Sequence, residues 1–252
     1  MMPTRNRASV LCGAVMTVAA LALGGCSSST TGGGTTAAAS TTARVAQTTA
    51  AAPLKKLDPL DFVYTKSTET ASYTETSAAS PYTDMTDPEV SPFTLLATCL
   101  GTKPELPTAA ADGAALSLND GETTVNSNVE IVSPAQRARD DKTLRDPRFA
   151  PCLEQKYIDD VKGGGEPNDT VHWGDSKLVN VRVPAGASGH VMINLPILGN
   201  ATNQQLETMV IDIVFLSSGQ VESQFAVTSL SSPAEDVVTA GTAQLAAKLK
   251  QQ

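Results

Sequence analysis

Residues 27–52 consist almost entirely of Ser, Thr, Gly and Ala, with Arg44 as the single charge. A stretch so poor in large apolar side chains cannot bury enough surface to offset the entropy lost on ordering. A fold therefore has to begin after it. As a flexible chain it is expected to span on the order of 30 Å and to act as a disordered tether. Its many threonines either carry O-linked sugar or leave the tether bare.

Ahead of the tether lie a basic start with Arg5 and Arg7, an apolar run over residues 8–23, and small residues ending in Cys26. These three zones predict a secretion signal covering residues 1–25. The apolar run is rich in Ala and Gly and falls short of the roughly 20 strongly apolar residues of a stable spanning helix, which favours removal over anchoring. Leu23-Gly24-Gly25-Cys26 resembles the lipobox of bacterial lipoproteins, with Gly24 departing from the usual Ala or Ser. A thiolate is nucleophilic enough to accept a diacylglyceryl group as a thioether. Each buried methylene contributes about 0.8 kcal/mol, so two acyl chains hold firmly where one binds marginally. The expected address is the extracytoplasmic side of the cell membrane, with lipid on Cys26 as the attachment.

The chain has 18 Lys plus Arg against 26 Asp plus Glu, and the predicted signal removes two Arg and no acid. So acidic a product has no basic stripe for phosphates, which excludes nucleic acid as a partner. An anionic bilayer repels it as well, leaving the lipid to do the attaching. Of four cysteines, Cys12 leaves with the signal and Cys26 takes the lipid. Cys99 and Cys152 remain, and in an oxidising compartment they are expected to form one disulfide. A metal site would need His or further Cys nearby, and there is none. Closing a loop of about 54 residues is worth roughly 4 kcal/mol on the chain-entropy model.

The compact part is expected to be one domain over residues 57–252, led in by an irregular segment, 57–88, that holds Leu57, Leu60, Phe62 and Val63. Ser133-Pro134-Ala135-Gln136 and Ser232-Pro233-Ala234-Glu235 both read as capping boxes with Pro in the first helical position. Asp146-Pro147 opens a further helix with Phe149, Cys152, Leu153, Tyr157 and Val161 at helical spacing, stopped by Gly163 to Gly165. Residues 91–100, stopped by Gly101, make a fourth. Alternation or apolar runs predict strands at 125–131, 178–183, 191–195, 209–216 and 221–228, the last two joined by a turn at Gly219. In the final helix Val237, Val238, Ala243, Leu245, Ala246 and Leu249 lie largely along one side, suited to covering a sheet. The fold class expected is α+β: an antiparallel sheet of about five strands with three to four helices packed on it and one disulfide.

Four segments carry a family resemblance: Cys99-Leu100-Gly101, Val125-Asn126-Ser127-Asn128-Val129-Glu130-Ile131, Asp146-Pro147-Arg148-Phe149-Ala150-Pro151-Cys152-Leu153, and Asp212-Ile213-Val214-Phe215-Leu216 followed by Gly219. The chain resembles secreted lipoproteins of actinobacteria, especially mycobacteria, and its paired-cysteine layout is similar to the PknH-type extracellular sensor domain. The resemblance runs from about Pro88 to the end. It implies a fold and an address, and at most ligand binding. Unlike the receptor kinases, this chain is expected to have no kinase domain and no spanning helix.

The sequence carries no recognisable catalytic pattern. Gly186-Ala187-Ser188-Gly189 lacks the spacing of a hydrolase elbow, and Gly163-Gly164-Gly165 follows a helix instead of opening one. The mixed-sign run Arg137, Arg139, Asp140, Asp141, Lys142, Arg145 and Asp146 reads as a solvated helix face. Asp159 and Asp160 match no calcium loop. No cofactor is implied. Trp173, the only Trp, either caps one edge of the core or forms an aromatic wall of a ligand cleft with His172 and Tyr157. The function expected is a non-catalytic envelope lipoprotein binding an apolar or glycan ligand or a protein partner. The alternative is a structural or interaction module with no small ligand. An enzyme reading would need two close carboxylates in a cleft, or a carboxylate beside His172 or His190. Replacing Cys26 by Ala is predicted to move the protein from the envelope pellet into detergent-free supernatant. Equal retention of both forms in a fractionation would contradict the lipid attachment.

Overall fold

The structure, a computed structural model, describes residues 56–86, 91–103 and 105–252. The expected signal, Cys26 and nearly all of the tether lie outside the described residues. Along the chain come β1 (Thr74–Ser77), β2 (Ser80–Pro81), α1 (Pro92–Leu100), β3 (Ala109–Asp112), β4 (Ala115–Leu118), β5 (Thr123–Ile131), α2 (Pro134–Thr143) and α3 (Phe149–Gly163). Then follow β6 (Val171–Trp173), β7 (Lys177–Val179), β8 (Gly189–Gly199), β9 (Gln205–Ser218), β10 (Val221–Leu230) and α4 (Glu235–Leu249). All strands share one antiparallel sheet in the order β1-β4-β5-β10-β9-β8-β6, with β2 on β3, β3 on β5 and β7 on β8.

The sheet therefore has ten strands where about five were expected. The five expected ones are present as β5, β7, β8, β9 and β10. The other five are two to four residues long. Pieces so short show no readable alternation, and they exist because long central strands offer them an unpaired edge. Two of them are halves of one interrupted strand: β3 pairs with β5 through Asp112 opposite Asn128, and β4 resumes with Leu116 opposite Val125, one residue out of step. The break falls at Gly113, whose N–H still donates to the Ser127 carbonyl at 2.8 Å. A Cβ there would lie 2.2 Å from Ser127 Oγ, so the bulge needs glycine.

Because strand side chains alternate, the sheet has two buried faces. On one, Val125, Val129 and Ile131 of β5, Phe225 and Val227 of β10, and Val214 and Leu216 of β9 pack under Val237, Val238, Leu245 and Leu249 of α4. On the other, Val191, Ile193 and Leu195 of β8 with Ile211, Ile213 and Phe215 of β9 pack under Leu96 and Leu100 of α1 and Phe149, Leu153 and Ile158 of α3. The supposedly irregular lead-in joins the first of these cores. Phe62, Val63 and Tyr64 are buried there, and the Tyr64 ring sits 4.9 Å from that of Phe225. Tyr64 N–H donates to Ser127 Oγ at 3.0 Å, which fastens this segment to β5.

The helix ends follow local chemistry, with two departures. Ser91 and Ser133 cap α1 and α2 by accepting from Thr94 N–H at 3.4 Å and Gln136 N–H at 3.0 Å. Gln136, though, donates to the Glu105 carbonyl at 3.3 Å instead of closing its box. The start of α4 slips past its predicted cap, to Glu235. Ser231 turns at φ 70 and the Ser232 carbonyl accepts from Ser229 Oγ at 2.7 Å, which keeps the chain tied to the end of β10. Within α4, Ala243 is exposed and Gly241 and Thr242 are buried instead. Cys99 and Cys152 form the expected disulfide, with Cα atoms 6.0 Å apart, and clip α1 to α3.

Gly241 lets Phe225 reach the helix backbone: a Cβ there would meet the ring at 2.2 Å. In an exposed helix, Gly to Ala gains about 0.5–1 kcal/mol. Here Gly241→Ala is predicted to lose roughly 1–3 kcal/mol through overpacking, measured by urea unfolding. A variant more stable than the parent would refute this close contact.

Candidate functional site

A cavity of about 620 Å³ opens on the α4 face, between the connection after β7, strands β8 and β9, and the first turn of α4. Val181, Val183, Pro184, Ala185, Met192 and Val238 supply apolar walls, while Arg182, His190, Asp212 and Glu235 supply the polar groups. The predicted strand at 178–183 stops at Val179. Past that point the Arg182 carbonyl accepts a hydrogen bond from His190 Nδ1 at 2.8 Å, so this backbone bonds to a side chain rather than to a strand.

His190 has its other nitrogen, Nε2, 2.6 Å from Asp212 Oδ1, and the two side chains are 8% and 4% exposed. A carbonyl can only accept, so Nδ1 carries a hydrogen, and the protonated ring would donate to Asp212 through Nε2 as well. Burial works against that charge, but the bonds to Asp212 and to the Arg182 carbonyl outweigh it and raise the His190 pKa. A carboxylate beside His190 in a cavity is the pairing named above for an enzyme reading; here both ring nitrogens already have partners within the protein. His190 ties the cavity wall to β8 and β9.

A second polar cluster lies on the opposite sheet face. Glu130 and Glu222 are direct cross-strand partners on β5 and β10, and Asp140 of α2 sits over them. They are 2%, 6% and 9% exposed, and Glu130 Oε2, Glu222 Oε2 and Asp140 Oδ2 have no hydrogen-bond partner among the described residues. Burial pushes the Glu130 carboxyl up to about 8. Burial, foremost, and the neighbouring acids also raise Glu222 and Asp140. Asp140 is thus not on a solvated face, and sequence reasoning missed the cluster. The signal was there in Glu130, which occupies a β5 position that alternation assigns to the face opposite Val129 and Ile131. What the sequence did not reveal is that Glu222 stands beside it.

The three residues proposed as a cleft make separate hydrogen bonds, and Tyr157 and Trp173 pack against the same α1/α3 core. Tyr157 Oη accepts from Gln224 Nε2 on β10. Trp173 lies on β6, three strands along the sheet order from β10; it packs on the α1/α3 core and donates through Nε1 to the Gly165 carbonyl at 2.8 Å. His172 Nδ1 contacts Asn200 Oδ1 at 2.8 Å. Among the described residues no group of three or more His, Cys, Asp or Glu is placed to hold a metal ion, and no helix is long and apolar enough to cross a membrane.

No family model matches this chain, and no curated protein matches it. Among solved structures it is similar to the extracellular domain of PknH from Mycobacterium tuberculosis, at 11% identity and a TM-score of 0.31, covering 71% of this chain and 82% of that one. It is also similar to protein Ms6760 from Mycobacterium smegmatis, at 13% identity and a TM-score of 0.19, covering 54% and 94%. The likeness is a distant one, and at these TM-scores it carries no inference about what the chain binds.

The carboxyl cluster sets a sign for stability against pH. Folded pKa values raised above the unfolded range mean that the folded state binds more protons between pH of about 4 and 8, so stability falls as pH rises through that window. Glu222→Gln removes one such proton and is predicted to flatten the fall in thermal midpoint between pH 5 and 9. A parallel curve for parent and variant would show that Glu222 is not held neutral.

Proposed function

We propose that this protein is a lipid-anchored, non-catalytic component of the cell envelope whose domain binds a small amphiphile in the cavity beside α4. The anchoring half rests on the signal and Cys26. The binding half rests on one observation: a cavity of about 620 Å³ with six apolar side chains in its walls and the hydrogen-bonded pair His190 and Asp212 at its back. That size falls within the range of small-molecule sites, about 300–1,000 Å³, which combine apolar walls with a few fixed polar groups. Arg182 and Glu235 face the same cavity and make no ion pair with one another, so they present one charge of each sign to the polar end of a ligand. The commitment of both His190 nitrogens supports a binding role over proton transfer.

Native mass spectrometry of protein extracted from its own membrane is predicted to show an added mass. Val183 is 44% exposed, so Val183→Asp leaves the core alone while charging one wall. It should weaken retention of that mass about tenfold. A domain that is always empty, or retention indifferent to Val183→Asp, would remove the binding reading.

A further inference from the structure

The sheet face away from α4 carries a row of polar side chains that the apolar cavity does not use. Asp112 of β3 stands directly opposite Asn128 of β5, which stands directly opposite Gln224 of β10. All three are half-buried and point to the same side, because their neighbours Ala111, Val129 and Phe225 belong to the α4 core. Two aromatic rings border the row. Tyr157 descends from α3 with its hydroxyl on Gln224, and Tyr82 follows β2, with its N–H donating to the Ala110 carbonyl at 2.9 Å. A cavity of about 190 Å³ and one of about 250 Å³ share Tyr82 and Asp112 as walls. The combined groove is of small-molecule size.

The groove's chemistry is that of a polyol site. Asn128 Nδ2 donates to Asp112 Oδ1 at 3.2 Å, and Gln224 Nε2 to Tyr157 Oη. These bonds orient the planar groups and leave Asp112 Oδ2, Asn128 Oδ1 and Gln224 Oε1 as acceptors without a protein partner among the described residues. Burial pushes the Tyr157 hydroxyl up to about 12, so it keeps its hydrogen while accepting from Gln224. A ligand that satisfies this row must bring several O–H or N–H donors. Asp112 and Asp84 line the groove, and the one cation lining it among the described residues, Lys156, is paired with Asp160 at 2.7 Å, so a phosphate, sulfate or carboxylate group is disfavoured. The aromatic faces suit the C–H side of a sugar ring.

We infer that the row Asp112, Asn128 and Gln224, bordered by Tyr82 and Tyr157, is a binding site for a neutral glycan. It lies on the sheet face opposite the cavity beside α4, so either site can fail without the other. The test is binding of the purified mature protein to an array of neutral oligosaccharides (α-glucan, mannan, galactan and arabinan fragments) with anionic glycans alongside. The wild type is expected to bind at least one neutral member. Asn128→Ala, Gln224→Ala and Tyr82→Ala should each weaken it about tenfold, and Val183→Asp on the opposite face should leave it unchanged. Thermal midpoints establish which variants are folded. For the wild type itself, amide shifts on titration with the bound glycan should map to residues 112, 128 and 224. No neutral binder, binding to anionic members alone, indifference to all three substitutions, or shifts mapping elsewhere would each overturn the assignment.

Discussion

The pairing of β5, β10 and β9 decides which side chains meet. Phe225 stands opposite Ser127 and Val214, and Gln224 opposite Asn128 and Phe215. That register sends Phe225 beneath α4 and Gln224 to the side of α1 and α3. A slip of one residue on β10 would exchange them, placing an amide against Gly241 and a phenyl ring in the polar row. Both cores, the carboxyl cluster and the groove inherit their positions from this alignment. The hairpin turn at Gly219 and the close contact of Phe225 with Gly241 hold it from two ends.

The same alignment explains why ionisable groups are found inside. Glu130 and Glu222 are brought side by side, and α2 lowers Asp140 onto them, at a place with too little cationic charge to offset three negative ones. Arg137 is close enough to moderate Glu222, but burial dominates and raises its pKa. On the other face His190 and Asp212 solve the problem differently, by neutralising one another across β8 and β9. One face thus holds acids with raised pKa values and the other a histidine with a raised one, and both contributions weaken as the medium becomes alkaline: raised acids lose protons on ionising, and a raised His190 loses its charge as pH climbs through its folded pKa.

Much of the frame was legible in the sequence because it is local. Ser133 caps its helix, Gly101 ends one, and strands β5, β8, β9 and β10 carry enough alternation or apolar length to be read. What was not legible depends on distant partners. Thr74–Ser77 and Val171–Trp173 become strands only because β4 and β8 are there to receive them. Tyr64, in a segment read as irregular, is buried because Phe225 leaves it a place. The candidate sites divide in the same way. Tyr157 was picked out for its aromatic ring, but its partner proved to be Gln224 rather than Trp173, and no spacing in the sequence links Asp112, Asn128 and Gln224.

The central claim is that cross-strand register sorts core from site, and interstrand proton contacts measured by NMR test it most directly. The account predicts that Asn128 shows contacts to both Asp112 and Gln224, with Val129 facing Ala111 and Ser223. Contacts shifted by one position, with Asn128 facing Ser223 or Phe225, would contradict it.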